Sequence, residues 1–281
     1  MKKLSLLGLL GVVYVALTMM SCTGKQPEQQ PTGKDSVAVD SSSVAEDTVA
    51  VEPQTAKAAD KLFADFFFDF ISKKKVQMNR ILFPLPVTEN GKTKTVERRA
   101  WRMEHFYQNQ EYYTQIFDSD KQRDDVRKRD VDTVVVEKIH LKKGIAEQYV
   151  FCHPQGFWVL ASINKVGLSQ SNNASFLTFL QKFFADRKFQ LSHVANPLSY
   201  EGPDPDGDDE TTVVKRKIPA HTWSDYLPEI PRDQIYNIVY GQTYAEGKEK
   251  IFLFKGISNG LETELKFRKT GSDWKLTKIN L

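Results

Sequence analysis

The feature that most restricts how this chain folds is that it repeats itself. Residues 63–85 align without a gap on residues 176–198, at a constant offset of 113. Phe63 falls on Phe176, Phe66 on Phe179, Phe70 on Phe183, Lys75 on Lys188, Gln77 on Gln190, Pro84 on Pro197 and Leu85 on Leu198. A second block, Trp158 to Asn164, aligns on Trp274 to Asn280 at an offset of 116. Between these blocks, Trp101 after Ala100 has a counterpart in Trp223 near Ala220. Two gapless matches in the same order, one opening and one closing each unit, argue for a duplicated domain. A period this long makes a tandem pair rather than a solenoid, and 281 residues suit two domains. The predicted halves are 58–168 and 169–281.

Each half follows one plan. It opens with an amphipathic helix, whose apolar positions Phe63, Phe66, Phe67, Phe70 and Ile71, or Phe176, Phe179, Leu180, Phe183 and Phe184, recur at i, i+3, i+4, i+7 and i+8. A short second segment follows, Val76 to Leu82 or Phe189 to Ala195, which a Pro-Leu pair is expected to stop. After a variable polar stretch come strands: 133–141, 146–152 and 157–163 in one half, and 250–254, 261–268 and 274–279 in the other. Pro154-Gln155-Gly156 and Thr270-Gly271-Ser272-Asp273 supply hairpin chemistry. Helices first and an antiparallel sheet afterwards is an α+β plan, with the helices packed on one face of a curved sheet.

The first 57 residues read as an address and a tether. Lys2 and Lys3 precede an apolar run from Leu4 to Met20, too short for a stable span of a roughly 30 Å hydrocarbon core and suited to a secretory signal over 1–21. The run ends in Ser21-Cys22, which resembles the bacterial lipoprotein cleavage box. That resemblance implies that Cys22 becomes the first mature residue and carries several acyl chains, a stable membrane anchor. Thr23 and Gly24 follow without an acidic residue, which by lipoprotein sorting habits implies an outer-membrane lipoprotein facing the periplasm. Residues 23–57 contain no Phe, Tyr or Trp, bury too little apolar surface to offset their ordering entropy, and as a coil reach about 30–35 Å. Asp35-Ser36-Val37 and Asp47-Thr48-Val49 resemble the Asp-Ser/Thr-aliphatic acceptor for periplasmic O-glycosylation, making Ser36 and Thr48 candidate acceptors. The same triplets also arise by chance in such a composition. Thr133, in a third triplet, reads as a strand start.

The order of elements resembles the nuclear-transport-factor-2-like fold, the cone shared with ketosteroid isomerases and polyketide cyclases. More narrowly, the chain resembles a lipoprotein family of unknown function from gut Gram-negative bacteria. Phe63-x-x-Phe66, Lys75-Val-Gln77, Ile81-Leu-Phe83-Pro84-Leu85, Arg99-Ala-Trp101 and Trp158-x-Leu160 carry that likeness over about residues 58–281. It implies two tandem cone-like domains, and a pocket between helix and sheet in which a buried Asp or His acts as base in the isomerase and cyclase branches.

The densest aromatic and titratable cluster runs from Trp101 through His105 and Tyr107 to Tyr112 and Tyr113. At a cone mouth these five would hold an apolar or glycan ligand by stacking, with His105 as proton donor or acceptor. The alternative for them is packing between the domains or beneath the helices. Asp65 and Asp69 share the helix face opposite the Phe stripe and become Thr178 and Lys182 in the second copy, which reads as a solvated face. Arg98, Arg99 and Arg102 are donors for an anion or plain surface. The acidic run 202–210 departs from the calcium-loop pattern: counted from Asp204, Gly207 stands at the fourth place and Lys215 at the twelfth. Cys152 beside His153 points to the opposite face of a strand, so the two are no dyad. No cofactor or metal motif is present, and a net charge of +3 with mixed signs gives no nucleic-acid field. The expectation is a lipid-anchored envelope protein acting as a non-enzymatic module for a small-molecule, glycan or protein ligand. The alternative is an isomerase- or cyclase-like enzyme with His105 or Asp65 as base.

Overall fold

The computed structural model describes residues 62–108, 110–204, 207 and 212–281. Cys22, Ser36, Thr48, the signal and the tether lie outside them, as does most of the acidic run 202–210. In chain order the elements are α1 (Phe63–Ser72), α2 (Lys74–Asn79), β1 (Leu85–Glu89), β2 (Lys92–Val96), β3 (Tyr112–Phe117), α3 (Asp120–Arg127), β4 (Thr133–His140), β5 (Ile145–Cys152) and β6 (Val159–Gly167). The second half continues with α4 (Ala174–Ala185), α5 (Arg187–Ser192), β7 (Val194–Pro203), β8 (Val213–Ile218), β9 (Gln234–Val239), β10 (Glu249–Gly256), β11 (Glu262–Thr270) and β12 (Asp273–Asn280). The chain is a mixed α+β protein, with few helices on a large curved sheet.

The phenylalanine stripes form the two long helices. Phe63, Phe66, Phe67 and Phe70 are buried along α1, and six apolar residues are buried along α4. The short helices α2 and α5 end before the Pro-Leu pairs, at Asn79 and Ser192. Those prolines instead follow cis peptide bonds, Phe83–Pro84 and Asn196–Pro197, in the chain around β1 and β7. Gln77 and Gln190 tie each helical pair together. The Gln77 amide donates to the Phe70 carbonyl at 3.2 Å, and the Gln190 amide donates to that of Phe183 at 3.0 Å. The polar stretches also hold strands that periodicity did not reveal: β1–β3 and β7–β9.

The twelve strands form one sheet in the order β2-β1-β6-β5-β4-β9-β3-β10-β11-β12-β7-β8. The repeat is written into its register. Val87 faces Ile163 across β1–β6, as Tyr200 faces Ile279 across β7–β12. Thr133 faces Cys152, as Glu249 faces Arg268. The β5–β6 and β11–β12 pairs are interrupted at equivalent points, after Val150 and after Lys266. The centre is different, because the third strands change places. β9, from the second half, pairs antiparallel with β4, while β3, from the first, pairs antiparallel with β10. The two then meet in parallel at Thr114 and Asn237. The exchanged pairings keep corresponding registers, with Val135 opposite Val239 and Ile251 opposite Phe117.

Alternation along the central strands sends neighbouring residues to opposite faces. Tyr112 and Ile116 join the core built on α4, whereas Tyr236 and Ile238 join the core built on α1. Each core is therefore completed by a strand from the other half. A smaller cluster of Phe117, Val126, Ile251 and Leu253 lies under α3.

Candidate functional site

Helix α1, the exchanged strands and the turn after β10 enclose a pocket of about 460 Å³, within the usual range of small-molecule sites. The helix contributes Phe63, Ala64, Asp65, Phe67, Phe68 and Ile71. The middle of the chain contributes Tyr107 and Tyr113, and the second half contributes Ile238, Tyr240, Gly256, Ile257 and Ser258. The site belongs to neither half alone.

Its walls are aromatic and mutually braced. Phe63 and Phe67 stack at 5.3 Å between ring centroids, and Phe63 meets Tyr240 edge-on at 6.0 Å. Tyr107 stacks on Tyr113 at 6.1 Å and meets Phe67 and Tyr236 edge-on at 5.8 and 5.0 Å. Tyr107 holds this position through a left-handed backbone (φ 55°), closed by a hydrogen bond from the Gln110 amide to its carbonyl at 2.9 Å. The Tyr240 backbone amide donates to Oε1 of the buried Gln242 at 2.6 Å. At Gly256 a Cβ would stand 1.6 Å from Oδ1 of Asn259, so the bare backbone lets this turn fold tightly against the pocket.

Burial raises the pKa of all three pocket phenols. For Tyr107 the neighbouring Tyr240, Tyr113 and Tyr236 add to burial; for Tyr113 Glu262 adds to it, and for Tyr240 it is Tyr113. They remain protonated hydrogen-bond donors at neutral pH. Asp65 is the charged residue on the lining, and it is exposed at the rim.

Of the five residues expected to gather at a cone mouth, two do so. Tyr107 and Tyr113 line the pocket. Tyr112, one residue away, is 2% exposed and packs on Phe254 in the opposite core at 5.1 Å, because strand alternation turns it through the sheet. Trp101 donates its indole N–H to Oε1 of Gln77 at 3.0 Å and lies against Phe83. The same oxygen accepts the Glu104 amide at 2.8 Å, so Trp101 stabilises the end of the helical pair and is not on the pocket lining. His105 is exposed and is also off the lining. Asp69 pairs with Lys73 at 2.6 Å. The two expected bases, His105 and Asp65, are thus both exposed, and of the two Asp65 lies on the pocket lining. Arg98 donates to the Met78 carbonyl at 2.8 Å and covers the Phe83 ring. His153 stacks on Trp158 at 4.5 Å. Among the described residues no cluster of His, Cys, Asp or Glu has the arrangement to hold a metal ion.

The second half closes the equivalent place. Ala64, exposed in α1, corresponds to Leu177, which is 2% exposed. Phe68, 53% exposed, corresponds to Gln181, whose amide donates to the Leu141 carbonyl at 2.5 Å. The half-exposed Ile71 corresponds to the buried Phe184. The sequence reading missed Phe68, Ile238, Tyr240 and Ile257. Phe68 alone left a signal, an aromatic residue off the apolar stripe where the second copy has Gln. Tyr240 and Ile257 reach the site only through the strand exchange.

The folded part is similar to an NTF2-like protein from Bacteroides fragilis NCTC 9343. The crystal structure of that protein superposes with a TM-score of 0.70 at 31% identity, covering 78% of this chain and 94% of the other. The fold is therefore NTF2-like. The chain belongs to the family described as a domain of unknown function, DUF4348, whose model matches residues 41–281. No curated protein matches the sequence.

Proposed function

We propose that this protein is a non-enzymatic binding module whose ligand is a small, largely apolar molecule seated between α1 and the exchanged strands. The observation that carries this reading is the difference between the halves: the first keeps its aromatic pocket open, while the second fills the equivalent positions with Leu177, Gln181 and Phe184. Three protonated phenols supply directional hydrogen bonds in a largely apolar wall that also carries Asp65 and Ser258, the usual division of labour in ligand sites.

Around this site we place two cone-like units, 58–168 and 169–281, descended from one duplicated ancestor with their third strands exchanged. Cys22 anchors the mature chain by lipid to the outer membrane, facing the periplasm, and residues 23–57 tether the folded body. Among the described residues no helix is long and apolar enough to cross a membrane. Ser36 and Thr48 are the proposed glycan acceptors on the tether. Metabolic labelling with an alkyne fatty acid tests the anchor: Cys22→Ala abolishes label if the reading is right, and persistent label refutes it.

The pocket is tested with Nile red, an uncharged probe that brightens in apolar sites. Wild-type protein is expected to bind it saturably. Ala64→Trp, which places an indole at an exposed helical position on the lining, is expected to abolish that binding without loss of melting temperature. Equal fluorescence from both proteins refutes the pocket as the site.

A further inference from the structure

Resting on that reading, we infer that the pocket selects a cationic ligand, an alkylated organic ammonium. Six aromatic residues line it: Phe63, Phe67, Phe68, Tyr107, Tyr113 and Tyr240. Aromatic faces carry negative electrostatic potential, and alkylammonium groups bind where several such rings converge. Among the described residues the lining contains one carboxylate, Asp65, and no Lys, Arg or His.

Lys255 stands opposite Tyr113 in the β3–β10 register, but its Nζ is held by Glu262 at 2.5 Å, and Glu262 also takes Arg127 at 2.7 Å. Lys73, at the C-cap of the helix that carries Asp65, pairs with Asp69. Lys255 and Lys73 each have a carboxylate partner, with Glu262 shared between Lys255 and Arg127, whereas Asp65 stands exposed on the lining.

The ligand class so inferred has a compact alkylated head and a short apolar or hydroxylated tail. The rings of Tyr107 and Tyr113, and of Phe63 and Phe67, stack on one another at 6.1 and 5.3 Å. The phenol hydroxyls donate hydrogen bonds to a tail oxygen, and Asp65 compensates the charge as the head enters. The second half lacks this combination: Asp65 becomes Thr178, Phe68 becomes Gln181, and the nearby cavity of about 360 Å³ is lined by Lys142, Arg187 and Arg232.

The test uses the folded protein and two probes of the same shape, choline and its uncharged carbon isostere 3,3-dimethyl-1-butanol. Binding is read by isothermal titration and by displacement of Nile red. The expected result is that choline binds about tenfold more tightly than the isostere, and that Asp65→Asn narrows this ratio to about threefold or less. Equal affinities, or tighter binding of the isostere, overturn the ammonium assignment while leaving the pocket as a neutral apolar site. Failure of choline to displace bound Nile red also overturns it. Failure of Nile red to distinguish wild type from Ala64→Trp refutes the pocket itself.

Discussion

Gln77 shows how much of this architecture hangs on single buried side chains. Its side chain is fully buried and makes four hydrogen bonds: to the carbonyls of Phe70 and Glu104, and from the Glu104 amide and the Trp101 indole. Gln190, its counterpart, donates to Phe183. Gln77→Ala leaves several buried partners unsatisfied and is expected to cost about 3 kcal/mol in denaturant unfolding, against about 1 kcal/mol for Gln190→Ala. Equal losses contradict the role given to Trp101. The alignment of Gln77 on Gln190 was legible in the sequence. The Trp101 contact was not legible, because it joins residues 24 apart through a loop. The phenols supply a second check. Tyr107, Tyr113, Tyr240 and several buried tyrosines have raised pKa values because burial penalises the phenolate. Ultraviolet titration is expected to show most tyrosines un-ionised at pH 10.5 and released only as the protein unfolds at higher pH. Full ionisation near pH 10 in the folded state contradicts the burial.

Among the elements, β4 and β9 carry the most telling polar contact. Glu137 is buried and accepts from the Asn237 amide at 2.7 Å and the Gln148 amide at 2.9 Å, and burial raises its pKa. A carboxyl whose pKa is higher folded than unfolded loses stability as pH rises through the unfolded value, about 4.3, toward the folded one. Glu137→Gln carries no such penalty. Wild type is therefore expected to gain stability relative to that variant as pH falls from 7 toward 4, measured by urea unfolding at each pH. The opposite trend contradicts a buried, uncompensated Glu137. The elements themselves were unevenly legible. Phenylalanine spacing revealed α1 and α4, and β-branched runs revealed β4 and β5. Strands such as β2, Lys92–Val96, alternate Lys and Thr and are almost wholly exposed, so they carry no hydrophobic period. Tyr112 and Tyr113 looked equivalent in the sequence, and only strand direction separates a core residue from a pocket residue.

The whole molecule is defined by the exchange of β3 and β9. Internal similarity aligns two segments of the chain, but nothing in a sequence period reports which half a strand pairs with. The exchange follows from contacts distant in sequence, such as the Thr114 hydroxyl donating to the Tyr236 carbonyl at 3.1 Å and Gln110 donating to Gln234 at 2.9 Å. Each core then needs a strand from the other half. Residues 62–168 and 169–281 produced as separate chains are expected not to form folded monomers, and to assemble one-to-one when refolded together, as read by light scattering after size exclusion. Two folded, non-associating monomers contradict the exchange.

The proposed site lies where that exchange brings the two halves together, and its tyrosines report on it directly. In protein carrying ring-labelled tyrosine, titration with choline is expected to move the NMR signals of Tyr107, Tyr113 and Tyr240, and to leave those of Tyr112, Tyr149 and Tyr200 in place. If the three pocket rings stay still, or the rings buried elsewhere move instead, the binding account is wrong.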